Sequence, residues 1–409
     1  MDFSLSCLVL GLLGYVFAGR LILRWSKGVP REILFGLWNL AGVFVFLFYN
    51  HQQGDYRSKF ILYLLVVFFQ YVMLRMFSQA KGRLPWLAFF TPIAVLLVVR
   101  YVPNEAFVWV GRAAGRPWHG VPNLIGISYL SFRCSRLVLE IRNGSVKPPG
   151  LWEYLNFAFF LPTMSVGPIN TYANFRRGFA ATPWDVPAGR AALRVLAGLV
   201  KYLFLSGLCG QLAYQGLMHN SHPHHWVDLP VAMTFYYLHL YCNFSGFCDM
   251  AIGAAGLIGV PVPENFDNPF AARNIKDFWN RWHITLSQWM RDIVFAPLSK
   301  FLVRVMGPAR VNEAIAATII VVFLLIGIWH GVGWNYAVFG LVHALGLVIN
   351  HYYTLGLKQR LGREGFKAYN ENRWIHAAAV GLTFMYCAAS LMFFANTLPQ
   401  IQEIFQTLR

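Results

Sequence analysis

Gly327-Ile328-Trp329-His330-Gly331 closes an apolar run that begins at Val311 and holds one carboxylate, Glu313, near its start. The run is long enough to cross a bilayer as a helix. A histidine at its end is costly beside lipid. Its side chain therefore belongs in a protein interior or a water-filled cavity, where such residues mark function. A second histidine stands earlier, in Asp277-Phe278-Trp279-Asn280-Arg281-Trp282-His283, among Arg273, Lys276, Arg291 and Asp292. The bland alternative for either is a satisfied core histidine that hydrogen-bonds two helices. Two of them, each beside Trp and set among Arg or Gly, favour a working site between residues 266 and 350.

The rest of the chain extends this reading. Of 409 residues, 57% are hydrophobic and 12% charged, which lies outside soluble composition. Apolar runs recur from Leu5–Leu23 to Trp374–Ala395 without strand-like alternation, which leaves helices as the spanning element. The expected fold is all-α: one polytopic integral membrane domain over 1–409, with about ten to twelve membrane helices and further interfacial or re-entrant ones. Residues 1–103 form peripheral N-terminal helices and 374–397 a C-terminal helix. The first run lacks a basic stretch before it and a small-residue cleavage site, so it reads as a retained helix in which Arg20 snorkels to the interface.

The net charge of +17 comes from 34 basic and 17 acidic residues. The bases gather in short loops, as expected of positive-inside orientation and anionic lipid headgroups, and they argue for membrane lipids and against nucleic acid as partner. Loop alternation places 20–33 and 75–84 in the cytoplasm and the N-terminus outside. Trp152 to Val166 has basic loops on both sides, so it is re-entrant or one loop lies outside. The six cysteines are scattered without a CxxC pair and read as small buried hydrophobes.

The loop 103–120 holds His119, and His219, His222, His224 and His225 form a polar patch with no metal-ligand spacing, a solvated loop. No metal site is expected. Asp249, close to Asn243, Ser245 and Gly246, is a candidate interior polar group, with a helix–helix hydrogen bond as the equal alternative. Val227 to Val260 is long enough for a tilted or broken span. Asp277 to Val303 reads as one interfacial or cavity-lining helix.

Two histidines, without HExxH, GxSxG or HxxxxD, restrict the chemistry. Histidine near neutral pH can take a proton from an attacking hydroxyl. Acyl transfer from a thioester needs such a base, a polarised carbonyl and exclusion of water. His330 is the candidate general base. His283, with Asn280 and Arg281 nearby, would position or polarise the acyl carbonyl or orient the acceptor. Trp282 and Trp329 would shape and dry the site.

Asn265-Phe266, Asn268-Pro269-Phe270, Phe278 to Ser287 and Trp329-His330-Gly331 resemble the membrane-bound O-acyltransferase (MBOAT) family. The similarity is to its bacterial branch of teichoic-acid D-alanyl transferases and alginate O-acetyltransferases. Asn243 to Phe247 and Asp249 to Gly253 extend it, to about residues 120–355. The resemblance implies a catalytic core there with a central funnel or tunnel, and places the family's histidine pair on His283 and His330. It implies a thioester donor, D-alanyl on an acyl carrier protein's phosphopantetheine or acetyl-CoA, arriving from the cytoplasm with no bound cofactor. The acceptor would be an extracytoplasmic envelope polymer, or an accessory acyltransferase outside, at a bacterial cytoplasmic membrane. A transporter or flippase of a lipid-linked glycan is the alternative, against which the chain shows no internal repeat.

Overall fold

The computed structural model describes residues 3–49, 56–102, 124–180, 187–219 and 224–408. The expected loop 103–120 and His222 lie outside the described residues. The fold is all-α, and among the described residues six segments are long and apolar enough to cross a membrane: Gly28–Phe48, Tyr56–Phe77, Ala188–Met218, Pro308–His330, Trp334–Glu371 and Arg373–Ala395. It is a multi-pass membrane protein.

Two compact units divide the chain, and neither is continuous in sequence. The first takes residues 1–197 and 248–263. It contains α1 (Phe3–Trp25), α2 (Gly28–Tyr49), α3 (Tyr56–Phe77), α4 (Pro85–Tyr101), α5 (Ile127–Arg142), α6 (Leu151–Ala158), α7 (Tyr172–Ala180) and most of α8 (Ala188–Leu199). Polar side chains tie these apolar helices together, as is common where lipid offers no hydrogen bonds. Asn39 Nδ2 donates to Asn156 Oδ1 at 3.1 Å, and Asn156 Nδ2 to the Glu32 carbonyl at 2.9 Å. The late segment is tied in as well. Arg20, expected at the interface, donates to the Leu257 carbonyl at 2.7 Å, and Asn174 Nδ2 to that of Pro261 at 3.2 Å.

Helix α6 covers only the first part of residues 152–166. Its eight residues span only about 12 Å, too short to cross, so the basic loops beside it need not lie on opposite faces. It is fixed at its start by Glu153, which accepts the Gly150 N–H at 3.1 Å. At its end, the fully buried Arg133 donates to the carbonyls of Phe157 and Ala158 at 3.1 and 2.9 Å, and to Thr163 Oγ1 at 3.1 Å. A cation suits these helix-terminal carbonyls. Arg133→Leu takes the donor from three buried acceptors, each loss costing about 1–3 kcal/mol. We expect the melting temperature in detergent to drop by at least about 5 °C, with Arg133→Lys recovering part of it. A variant that melts like wild type would sink this account.

The second unit takes residues 198–247 and 264–409. It holds α9 (Ser206–Gln211), the first two-thirds of α10 (Asp228–Ile258), α11 (Ile275–Arg281), α12 (Ile284–Met290), α13 (Ala296–Met306), α14 (Val311–His330), α15 (Trp334–Glu371), α16 (Arg373–Ser390), α17 (Met392–Ala395) and α18 (Leu398–Thr407). Helix α10 is unbroken over 31 residues. Helix α15 runs well past the expected Tyr352 and kinks at Gly362, where φ is 64°. The stretch expected as one helix from Asp277 to Val303 is broken after Arg281, for reasons that belong to the site.

Helices α14 and α15 form a tight hairpin, because glycine faces glycine where they cross. A Cβ on Gly340 would strike the Phe323 backbone and come within 3.2 Å of Gly327 Cα. A Cβ on Gly327 would strike the carbonyl of Tyr336. Small residues are what allow such backbone approach in membranes.

Candidate active site

Helix α11 begins where Asn274 Oδ1 accepts the Asp277 N–H at 2.9 Å. Asp277 accepts the Arg273 N–H at 3.1 Å and Arg281 Nε at 2.9 Å, an i,i+4 pair that stiffens this short helix of about two turns. The helix stops at Trp282 because residues 265–267 compete for its backbone. Asp267 N–H donates to the Arg281 carbonyl at 3.0 Å, and Ile284 N–H to that of Asn265 at 3.0 Å. Between them Phe266 and Trp282 pair like strand residues. The turn back into α12 is made by His283 itself, at φ 46° and ψ 52°. A left-handed conformation in a residue with a Cβ costs about 1–3 kcal/mol and collects at functional sites.

The side chain of His283 is buried, bonded at Nδ1 and packed by a ring. Its Nδ1 lies 3.1 Å from Asn265 Oδ1, and Phe244 packs edge-on at 4.8 Å between centroids. Trp282 is walled by Phe278, Phe266 and Tyr237 at 5.5, 5.1 and 5.8 Å. His283 lies outside the six spans. Burial, and then the charge of His330, pushes it down to about 3, so its ring is neutral at physiological pH.

His330, the last residue of α14, is half-buried. Its ring packs with Trp329 at 4.7 Å, Phe394 at 4.9 Å and Phe339 at 6.0 Å. Trp329 also lies 6.3 Å from the His283 ring. One cavity of about 60 Å³ is lined by both histidines together with Phe244, Trp282, Phe339 and Phe394. Apart from imidazole, indole and one thiol its walls are hydrocarbon and aromatic, and they include no carboxylate.

A third histidine that sequence reasoning passed over, His343, lines the same cavity. The Trp279 indole N–H donates to its Nδ1 at 3.2 Å, so Nε2 carries the proton and meets Ser390 Oγ at 2.9 Å. That hydroxyl donates onward to the Cys387 carbonyl at 2.7 Å. With both ring nitrogens engaged, His343 ties α11, α15 and α16 together. The rule that singled out His330, a histidine inside an apolar run, would have found it.

Of the residues expected from sequence, His283, His330, Trp282 and Trp329 are brought together. Three others are not at the cavity. Asn280 is exposed and accepts from Arg291 at 3.0 Å. Arg281 is spent on Asp277 and on the Asp267 carbonyl at 3.3 Å. Asp249 belongs to the first unit and pairs with Arg194 at 3.0 Å. We expect Asn280→Ala to keep kcat/KM within about twofold of wild type. A tenfold loss would return it to the site. In the histidine patch, His219 bonds Asn396 Oδ1 at 2.9 Å and the His224 N–H donates to the Thr407 carbonyl at 3.3 Å. Among the described residues, no group of three or more His, Cys, Asp or Glu could hold a metal ion.

A sequence profile described as MBOAT, membrane-bound O-acyltransferase family, matches residues 121–386. The teichoic acid D-alanyltransferase of Streptococcus thermophilus is 29% identical over 369 residues, 85% of each chain. That of Bacillus subtilis is 30% identical over 304 residues, 71% of this chain and 73% of its own. The peptidoglycan O-acetyltransferase of Helicobacter pylori is 31% identical over 217 residues, 49% of this chain and 38% of its own.

Proposed function

We propose, since this chain belongs to the membrane-bound O-acyltransferase family, that it moves an acyl group from a cytoplasmic thioester to a hydroxyl of an extracytoplasmic envelope polymer. That the chain is a membrane acyltransferase follows from the family. Donor, acceptor, direction and residue roles are our reading. The observation that carries it is the meeting of His283 and His330, far apart in sequence, at one small aromatic cavity.

In the proposed step the hydroxyl oxygen attacks the thioester carbonyl while His330 takes its proton. The new C–O bond forms as the C–S bond breaks, and the proton passes to the leaving sulfur, giving ester and free thiol. His330 suits this role because it is half-buried, where a polymer hydroxyl can reach it. The close aromatic walls exclude competing water. Trp282 is one of those walls, and Trp329 packs against both histidine rings from outside the lining. Asn280, Arg281 and Asp249 take no part in the step.

For the acyl group we favour D-alanyl. The two D-alanyltransferases align with most of this chain and most of their own, whereas the O-acetyltransferase aligns with about half of it. The donor would then be a phosphopantetheine thioester on an acyl carrier protein, with the N-terminus outside and the protein in a bacterial cytoplasmic membrane. The test offers D-alanyl-loaded carrier protein and acetyl-CoA separately to the protein in liposomes. Consumption of the first alone supports the reading, and consumption of acetyl-CoA alone replaces the acyl group. If neither thioester is consumed, acyl transfer from these donors falls and transport of a lipid-linked glycan is the next assay.

A further inference from the structure

Asn265 Oδ1 is the meeting point of three hydrogen bonds. The Thr285 backbone N–H reaches it at 3.2 Å and the Thr285 hydroxyl at 2.9 Å, and His283 Nδ1 lies 3.1 Å away. A backbone N–H can only donate, so this atom is the amide oxygen and not the nitrogen. An amide oxygen can only accept, so His283 Nδ1 must carry the hydrogen. In a neutral imidazole the other nitrogen, Nε2, is then bare, an acceptor with nothing to donate. Such an imidazole cannot polarise a carbonyl oxygen, which needs a donor. It can hold an N–H or O–H group of a substrate.

The burial of the rings decides which. His330 is half-buried and His283 only 3% exposed. A hydroxyl borne on a polymer meets the more accessible ring, while the deeper one is open only to something slender. The arm of a carrier-protein or coenzyme thioester is slender, and it has an amide N–H two carbons from the sulfur. We propose that Asn265 is a positioning residue: it holds His283 in the tautomer with bare Nε2, and that nitrogen accepts the amide N–H of the thioester arm. This rests on the acyl-transfer reading and assigns His283 to donor alignment.

Two measurements on the full chain in lipid nanodiscs test it. The first is nitrogen NMR of histidine-labelled resting enzyme, with the His283 signals assigned by their loss in His283→Asn. The expected pattern is a protonated Nδ1 and a bare Nε2, blurred to a mixture in Asn265→Leu and restored in Asn265→Asp. A protonated Nε2 in wild type overturns the inference whatever the kinetics show.

The second compares two minimal D-alanyl thioesters, one of N-acetylcysteamine and one of a thiol matched in length but lacking the N–H. Wild type should prefer the first by about ten- to a hundredfold in kcat/KM, and Asn265→Leu should lose the preference. A residue that merely supports the fold would slow both donors equally. Equal use of both by wild type, or a preference that survives Asn265→Leu, refutes donor alignment. No turnover of any thioester removes the acyl-transfer reading and donor alignment with it, while the tautomer still stands or falls on the NMR result.

Discussion

His330→Ala lowers single-turnover loss of the thioester in liposomes by about 10²–10⁴-fold, the usual contribution of a positioned base. The ring is the half-buried one of the pair and sits at the end of α14 against Trp329 and Phe394. Alanine removes the proton acceptor and leaves the aromatic walls standing, so the loss should fall on the chemical step and spare donor binding. Retention of donor binding, measured by co-sedimentation of loaded carrier protein with liposomes, separates a lost base from a collapsed fold. A variant that keeps more than a tenth of the wild-type rate would move the base elsewhere in the cavity.

Gly340→Val should abolish a folded, active protein with no change at any residue that meets substrate. The added Cβ would strike the Phe323 carbonyl oxygen and lie 3.2 Å from Gly327 Cα, and α14 and α15 would have to separate. Phe339 and His343 on α15 and His330 on α14 share one cavity, so separation dismantles the site. We expect loss of the monodisperse peak on size-exclusion chromatography and at least about a 10²-fold fall in transfer, since 1 Å of misplacement can cost that much. Gly340→Ala should lie between. A valine variant that elutes and reacts like wild type would show that the crossing has slack.

Much of this was legible in the sequence, and the exceptions share a cause. Runs such as Val311 to Trp329 announce a spanning helix because each residue contributes to the signal. His283 and His330 stood out because charge-capable side chains are rare in such surroundings. The break at His283 was not legible, since it depends on residues 265–267 claiming backbone groups that a helix would otherwise use. Nor was Asn265's part in it, because an Asn that closes Pro261-Val262-Pro263-Glu264-Asn265 reads as a helix break. Asn280 and Arg281 drew attention by polarity, and polarity cannot tell a residue facing the cavity from its neighbour facing away. For Asp249 the sequence allows an interior polar group or a helix–helix contact, and Arg194 provides the contact.

The discontinuity of the first unit has a consequence for how the protein is made. Its closing segment, 248–263, leaves the ribosome about 65 residues after residue 197, a delay of about 3–13 s at ordinary rates of synthesis. Until then Arg20 and Asn174 lack the carbonyls of Leu257 and Pro261. The N-terminal helices therefore emerge before this unit can finish folding, with one acceptor of Arg20 and one of Asn174 still to be translated.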